Sequence, residues 1–355
     1  MNNIELQVLL VEDEDSKIEQ WNDAVDAFNA DTDKNKFQII KISAKSVSEA
    51  LALLETRKLD AVIVDLRLQS EVGVGEDNDD GNELINRIVE IQPIGIVIYT
   101  GQKGQADVGK FPQVQVMDKG DGLQQVFDWL TQQLNLFLIL REMHAAVERE
   151  TAKIFFRSIW PRWERWTKID NKENNLAEAL ARHVAAHVHD SLLNAANGVA
   201  HPEETYFVPP LKERLDTGDI IIYNDESWII VTPRCDLSNE GKIETILLAK
   251  CESIAEKWKG ISAESKTGAE KIRKIIQHEG SPKQHFLPPA FNLNGEELGP
   301  WMVQFHHLNA MKIEEARAQL VPNRIASLAP QFVPSLVERF GAYFSRIGTP
   351  NLSSE

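Results

Sequence analysis

Apolar residues in the first 120 positions fall into short runs separated by amphipathic stretches. Residues 6–11, 37–42, 61–64, 94–99 and 114–117 form the runs; 61–64 is apolar throughout and none carries more than two polar residues. Runs of this kind predict strands buried on both faces, as in a parallel sheet. Between the first two, Ile18, Trp21, Ala24, Val25 and Phe28 recur at helical spacing. Residues 46–57 and 82–91 repeat that period, so the chain alternates strand and helix and predicts a sheet with helices on both faces. The stretch 101–111 is rich in Gly, Gln and Lys, which predicts a fourth helix that is short or poorly formed. From Leu123 the helical period runs through Val126, Phe127, Leu130, Leu134, Phe137, Leu138, Met143, Ala146 and Val147, and resumes to Ile159. A period sustained beyond about 25 residues predicts a helix shared between domains or a dimer seam. Beyond residue 200 the pattern changes to strands. Residues 218–223 and 228–232 flank Asn224-Asp225-Glu226 as a hairpin, and 242–251, 284–291 and 301–308 add strands. A charged helical excursion (253–278) and a closing amphipathic helix (330–347) complete an α+β region with a small antiparallel, barrel-like sheet. The organisation read from the chain is 1–122, a helical connector at 123–200, and 201–355.

Each predicted strand of the first region, the second excepted, ends in a polar group. Glu12 and Asp13 follow the first, Asp65 the third, Thr100 the fourth and Lys119 the fifth. In an open α/β sheet that edge is where ligands and chemistry sit. Acid pair, lone Asp, Thr and Lys in that order resemble the receiver domain of two-component response regulators. The resemblance implies a five-stranded, flavodoxin-like parallel sheet and a phosphoacceptor at Asp65. It also implies Mg²⁺ held by Glu12, Asp13, Asp65 and the backbone carbonyl of Arg67. The chemistry suits those residue types: a carboxylate attacking a phosphoryl group needs a divalent cation against charge repulsion. Lys119 and the Thr100 hydroxyl would then stabilise the phosphoryl oxygens. A histidine kinase or phosphotransfer protein is the implied donor.

Four departures qualify the resemblance. The acid pair is Glu12-Asp13 where two aspartates are usual, Gly120 replaces the usual proline after the lysine, and Val116 stands where an aromatic switch residue is common. Residues 69–80 are longer than the family norm and carry Glu76, Asp77, Asp79 and Asp80, a candidate acidic flap or a solvated loop. Receivers without the ordinary switch resemble those heading bacterial antiphage systems more than transcription factors.

Composition narrows the partners. Residues 1–130 hold 25 acidic against 12 basic residues, the rest 29 against 26, for a net charge of −16. Neither part is basic in the way that marks nucleic-acid binding, so nucleic acid is not favoured and a partner protein is expected, with a homodimer through the connector. No apolar run reaches the roughly 18 residues of a membrane span. Two cysteines and no leader-like start predict a reducing cytoplasm. Three weaker signals remain. Trp160, Trp163 and Trp166, interleaved with Arg157, Arg162 and Arg165, read as a core-facing stripe with base stacking as the rival. His183, His187 and His189 share one helix without a clear third metal ligand. Cys235-Asp236 with His306 or His307 is an imaginable nucleophile set for an effector enzyme, although a buried strand-end cysteine is expected.

Overall fold

The computed structural model describes residues 4–31, 35–68, 80–106, 111, 113–168, 175–195, 200–239, 241 and 243–346. They form two compact units, Met1–Ser191 and Leu192–Glu355. The first contains β1 (Ile4–Val11), α1 (Asp15–Ala30), β2 (Phe37–Ala44), α2 (Val47–Thr56), β3 (Ala61–Val64), α3 (Asp80–Ile91), β4 (Gly95–Thr100) and β5 (Gln115–Asp118). All five strands are parallel, in the order β2-β1-β3-β4-β5, the flavodoxin-like order. Side chains alternate across the sheet, so each apolar run feeds two cores. Leu9, Val11, Val62, Val64 and Ile98 pack on one face with Ala50 and Leu54 of α2 and Leu84 and Ile88 of α3. Leu6, Val8, Leu10, Ile63 and Val97 pack on the other with Ile18, Trp21 and Val25 of α1. That is why the runs read as unbroken: both faces are buried.

The same second core takes Val126, Phe127, Leu130 and Phe137 of α4 (Gln124–Ile154). The predicted long helix is thus 31 residues. Arg141 clamps it to the sheet's opposite edge: its Nε donates to Asp60 at 2.5 Å and a terminal nitrogen to the Glu5 carbonyl. Asp60 also accepts the Gln7 amide at 2.6 Å. The helix then passes through a π turn (Phe155–Ile159) and a 3-10 turn (Trp160–Arg162) into α5 (Trp163–Lys168), and α6 (Leu176–Ala195) follows. Ser158 meets His183, and Ser191 donates to Glu150 at 2.7 Å, so α6 runs back along α4. In the predicted fourth-helix region the described residues form only a 3-10 turn, Lys103–Gln105. The acids Glu76, Asp77 and Asp79 and the side chain of Asp80 lie outside the described residues.

The second unit is a curled antiparallel half-barrel, as the strand pattern predicted. Its strands are β6 (Tyr206–Phe207), β7 (Asp219–Tyr223), β8 (Glu226–Ile230), β9 (Thr245–Ser253), β10 (Gln284–Leu287), β13 (Trp301–Lys312) and β14 (Arg324–Leu328), ordered β10-β13-β9-β8-β7-β14-β6. A two-stranded pair, β11 (Ala290–Phe291) and β12 (Glu297–Leu298), lies apart from it. Asn224 and Asp225 join β7 to β8 with φ of 52° and 60°, the left-handed pair that a two-residue hairpin needs. Among the described residues five helices complete it: α7 (Arg234–Leu237), α8 (Ala255–Lys259), α9 (Lys266–Ile276), α10 (Ile313–Leu320) and α11 (Val333–Phe344). Val333 and Leu336 of α11 seal one face of the sheet, Ala316 and Leu320 of α10 the other. Among the described residues no helix is long and apolar enough to cross a membrane.

Candidate functional site

The parallel order reverses between β1 and β3, and the crevice at such a switch point is where doubly wound sheets bind ligands. Glu12 follows β1 there, its amide held by the Ala44 carbonyl at 3.0 Å, and Asp65 follows β3 with its amide on the Val11 carbonyl at 3.0 Å. Both strand ends are therefore fixed by neighbouring backbone, and their side chains converge. Lys119, in the turn after β5, bridges them: its Nζ lies 2.6 Å from Glu12 Oε2 and 2.8 Å from Asp65 Oδ2. The side chain of Glu12 is 3% exposed, that of Asp65 11% and that of Lys119 21%. Asp13 adds a third carboxylate, and Glu12, Asp13 and Asp65 each place one oxygen within 4.8 Å of the others. No other group of three such ligands occurs among the described residues.

Electrostatics follow from burial. Desolvation raises the Glu12 carboxyl above its ordinary value, and Lys119, its hydrogen-bond partner, pulls against that. Desolvation alone would lower Lys119, but hydrogen bonds from its ammonium to Asp65 and Glu12 hold it above the usual lysine value. It is a permanent cation between two carboxylates. Three hard oxygen donors of this kind fit Mg²⁺, which accepts few carboxylates and keeps several waters. Thr100 is buried at the end of the adjacent β4, where its hydroxyl accepts the Gln102 amide at 3.3 Å. Arg67 lies two residues past Asp65 with an exposed side chain.

The sequence did not point to the glycine that lets α3 close on this site. A Cβ on Gly81 would stand 2.6 Å from Leu66 Cα and 2.8 Å from the Asp65 carbonyl oxygen. Because those neighbours are backbone, they cannot turn aside. We expect Gly81→Ala to cost about 1–3 kcal/mol in urea unfolding of the first unit, the usual penalty of overpacking. An unchanged midpoint would show that α3 can withdraw freely.

The other sequence candidates are not assembled into sites. His183 and His187 pack edge to face at 4.5 Å, and Trp166 lies against His183 at 5.2 Å. Cys235 is exposed on the single turn of α7 rather than buried at a strand end. Asp236 lines a hollow with Lys312 at the end of β13. His307 lies five residues back along β13, against Trp228 at 5.8 Å. Five strand residues span about 16 Å, so the imagined Cys–His–Asp set is not brought together. The expected tryptophan core stripe is also corrected: Trp160 and Trp163 are exposed. The 3-10 turn and α5 keep i and i+3 on one side, but that side meets solvent rather than a core.

No protein-family model and no curated protein matches the sequence. Solved structures similar to the chain are response-regulator receiver domains, covering its N-terminal two fifths or so. The signal receiver domain of an HD domain-containing protein from Pseudomonas fluorescens is 19% identical, with a TM-score of 0.29, over 38% of this chain and 97% of that one. The non-phosphorylated HemR receiver domain from Leptospira biflexa is 21% identical, TM-score 0.28, over 36% and 92%. A Burkholderia pseudomallei response regulator, solved with a phosphorylated aspartic acid, calcium and citrate, is 18% identical, TM-score 0.27, over 51% and 92%. The fold itself stands on the strand order and the parallel pairing of this chain.

Proposed function

We propose that the first unit is a phosphorylatable receiver and that Asp65 is its phosphoacceptor. The observation that carries this reading is the Glu12–Lys119–Asp65 bridge at the switch point, with Asp13 beside it. In the reaction a carboxylate oxygen of Asp65 attacks phosphorus, the bond from phosphorus to the donor's leaving group breaks, and an aspartyl phosphate forms. Lys119 neutralises charge on the transferred oxygens, and the Thr100 hydroxyl donates to one of them. Glu12, Asp13, Asp65 and the Arg67 carbonyl would hold Mg²⁺, which when bound offsets the repulsion between carboxylate and phosphoryl group.

The donor is a histidine kinase or phosphotransfer protein, and the proposed setting is a bacterial cytoplasm. Residues 1–122 serve as receiver and 123–200 as connector, whose α4 forms the seam of a homodimer, while 201–355 acts as the output module on a partner protein. Val116 and Gly120 remove the usual aromatic switch and proline, which suits an antiphage assembly better than a transcription factor. Intact mass after Mg²⁺ and phosphoramidate tests the chemistry. Wild type should gain one phosphate, and Asp65→Asn none. An equal gain in Asp65→Asn, or no gain in wild type, would overturn the assignment.

A further inference from the structure

The turns that follow α4 present aromatic rings to solvent. Phe156 is 68% exposed, Trp160 64% and Trp163 46%. Phe155 holds two of them in place, edge to face with Phe156 and with Trp160 at 5.2 Å each. Rings that are braced yet uncovered form a platform rather than a core. Cations are interleaved with them: residues 149–168 contain Arg149, Lys153, Arg157, Arg162, Arg165 and Lys168 against only Glu150 and Glu164. Lys153 and Lys168 are tied to those two acids, and Arg162 is folded back on Ser158. Arg157 and Arg165 are exposed and have no acidic partner among the described residues.

The chain's negative charge does not govern this region. The acidic excess sits in residues 1–130, and Arg141 marks where α4 leaves the far edge of the sheet. Phe155 lies 14 residues further along, a rise of about 21 Å. That exceeds two Debye lengths, each about 8 Å at physiological ionic strength. α6, which runs back along α4, adds Glu178 and Asp190 against Arg182, so the local balance is reduced but stays positive.

We propose that this patch binds single-stranded nucleic acid, with Phe156, Trp160 and Trp163 stacking on bases and Arg157 and Arg165 holding phosphates. Exposed rings beside free guanidinium groups are the elements that sequence-tolerant strand binding uses. An anionic membrane would instead call for one long amphipathic face, and here the rings are spread over three turns of different pitch. The proposal is independent of chemistry at Asp65.

Fluorescence anisotropy of the full chain with labelled dT20 and rU20 strands tests it, alongside vesicles containing phosphatidylserine. Binding at 50 mM salt is expected to weaken about 7-fold by 200 mM, as two phosphate contacts on a single strand require. Trp160→Ala and Trp163→Ala should each weaken it roughly tenfold. Arg157→Gln with Arg165→Gln should flatten the salt dependence. All four positions are exposed, and circular dichroism checks that the variants fold. No binding at 50 mM salt, or binding that the tryptophan variants leave unchanged, would overturn the proposal. So would binding to vesicles alone, or loss of self-association in Trp160→Ala with no strand bound by wild type.

Discussion

Replacing Lys119 with methionine is expected to destabilise the first unit by about 3 kcal/mol at pH 7, the low end for breaking a buried ion pair. The low end applies because the lysine keeps some solvent contact, 21% of its side chain. Methionine preserves much of the stem and removes only the charge, leaving Glu12 and Asp65 facing each other without a cation. Burial already raises the Glu12 carboxyl, and losing Lys119 raises it further. A carboxyl whose folded value lies above its unfolded one costs stability once it ionises, and that cost fades as pH falls and the folded state takes up the proton. The deficit between variant and wild type should therefore shrink from pH 7 to pH 4.5 in paired urea titrations. An equal deficit at both values would mean that lost packing, not stranded charge, is responsible. Mg²⁺ provides a second reading of the same variant. If the three carboxylates hold it, the unfolding midpoint of Lys119→Met should rise with Mg²⁺ concentration, following the mass-action dependence of a ligand that binds only the folded state.

How far the sequence could be read depended on whether a signal was local. Ala61-Val62-Ile63-Val64-Asp65 was legible because a strand buried on both faces has no polar position until it ends, and the first polar residue then marks the sheet edge. Glu12 and Lys119 were legible for the same reason, and their 2.6 Å contact follows from strand order. Partners far apart in sequence were not. Asp60 and Arg141 are 81 residues apart, and nothing around Arg141 marks it as the residue that pins α4. Gly81 carried no local mark either, because its close approach to Leu66 is set by where α3 docks. Trp160 and Trp163 misled because spacing tells which residues share a side, not whether another element covers that side, and here both rings are exposed. The tandem of Cys235 and His307 failed for a related reason: both belong to the half-barrel, but at different levels of its strands.

Lowering the pH from 6.5 to 4.5 is expected to cost the second unit roughly 2–3 kcal/mol through one residue, His285, at about 1.4 kcal/mol for each pH unit. Its ring is 5% exposed on β10, stacked on His278 at 4.2 Å and facing Phe305 at 6.3 Å. Phe305 in turn packs on Phe340 and Tyr343 of α11. Among the described residues no acidic group pairs with it. Arg339 of α11 reaches the neighbouring Gln284 carbonyl at 2.8 Å, and the carboxylate of Glu252 is engaged by Gln304. His278 accepts the Phe286 amide through Nδ1, and Nδ1 of His285 has no hydrogen-bond partner among the described residues. Burial, reinforced by His278 and Arg339, pushes His285 down to about 3, and burial pushes His278 down to about 4. Below the ordinary histidine value near 6.5 the unfolded chain takes up protons that the folded chain refuses, so stability is full above that pH and falls steadily beneath it. His278 is half-exposed, and solvent screening reduces its share. Urea unfolding read by hydrogen exchange on β10 and β13 separates this unit from the first. His285→Leu should lower the slope between pH 6.5 and 4.5 by about 1.4 kcal/mol per pH unit while keeping the neutral-pH midpoint close to wild type. A variant with the wild-type slope would move the acid sensitivity elsewhere, to Asp216, where desolvation is outweighed by Lys212 and Arg234, which hold the carboxyl below its ordinary value.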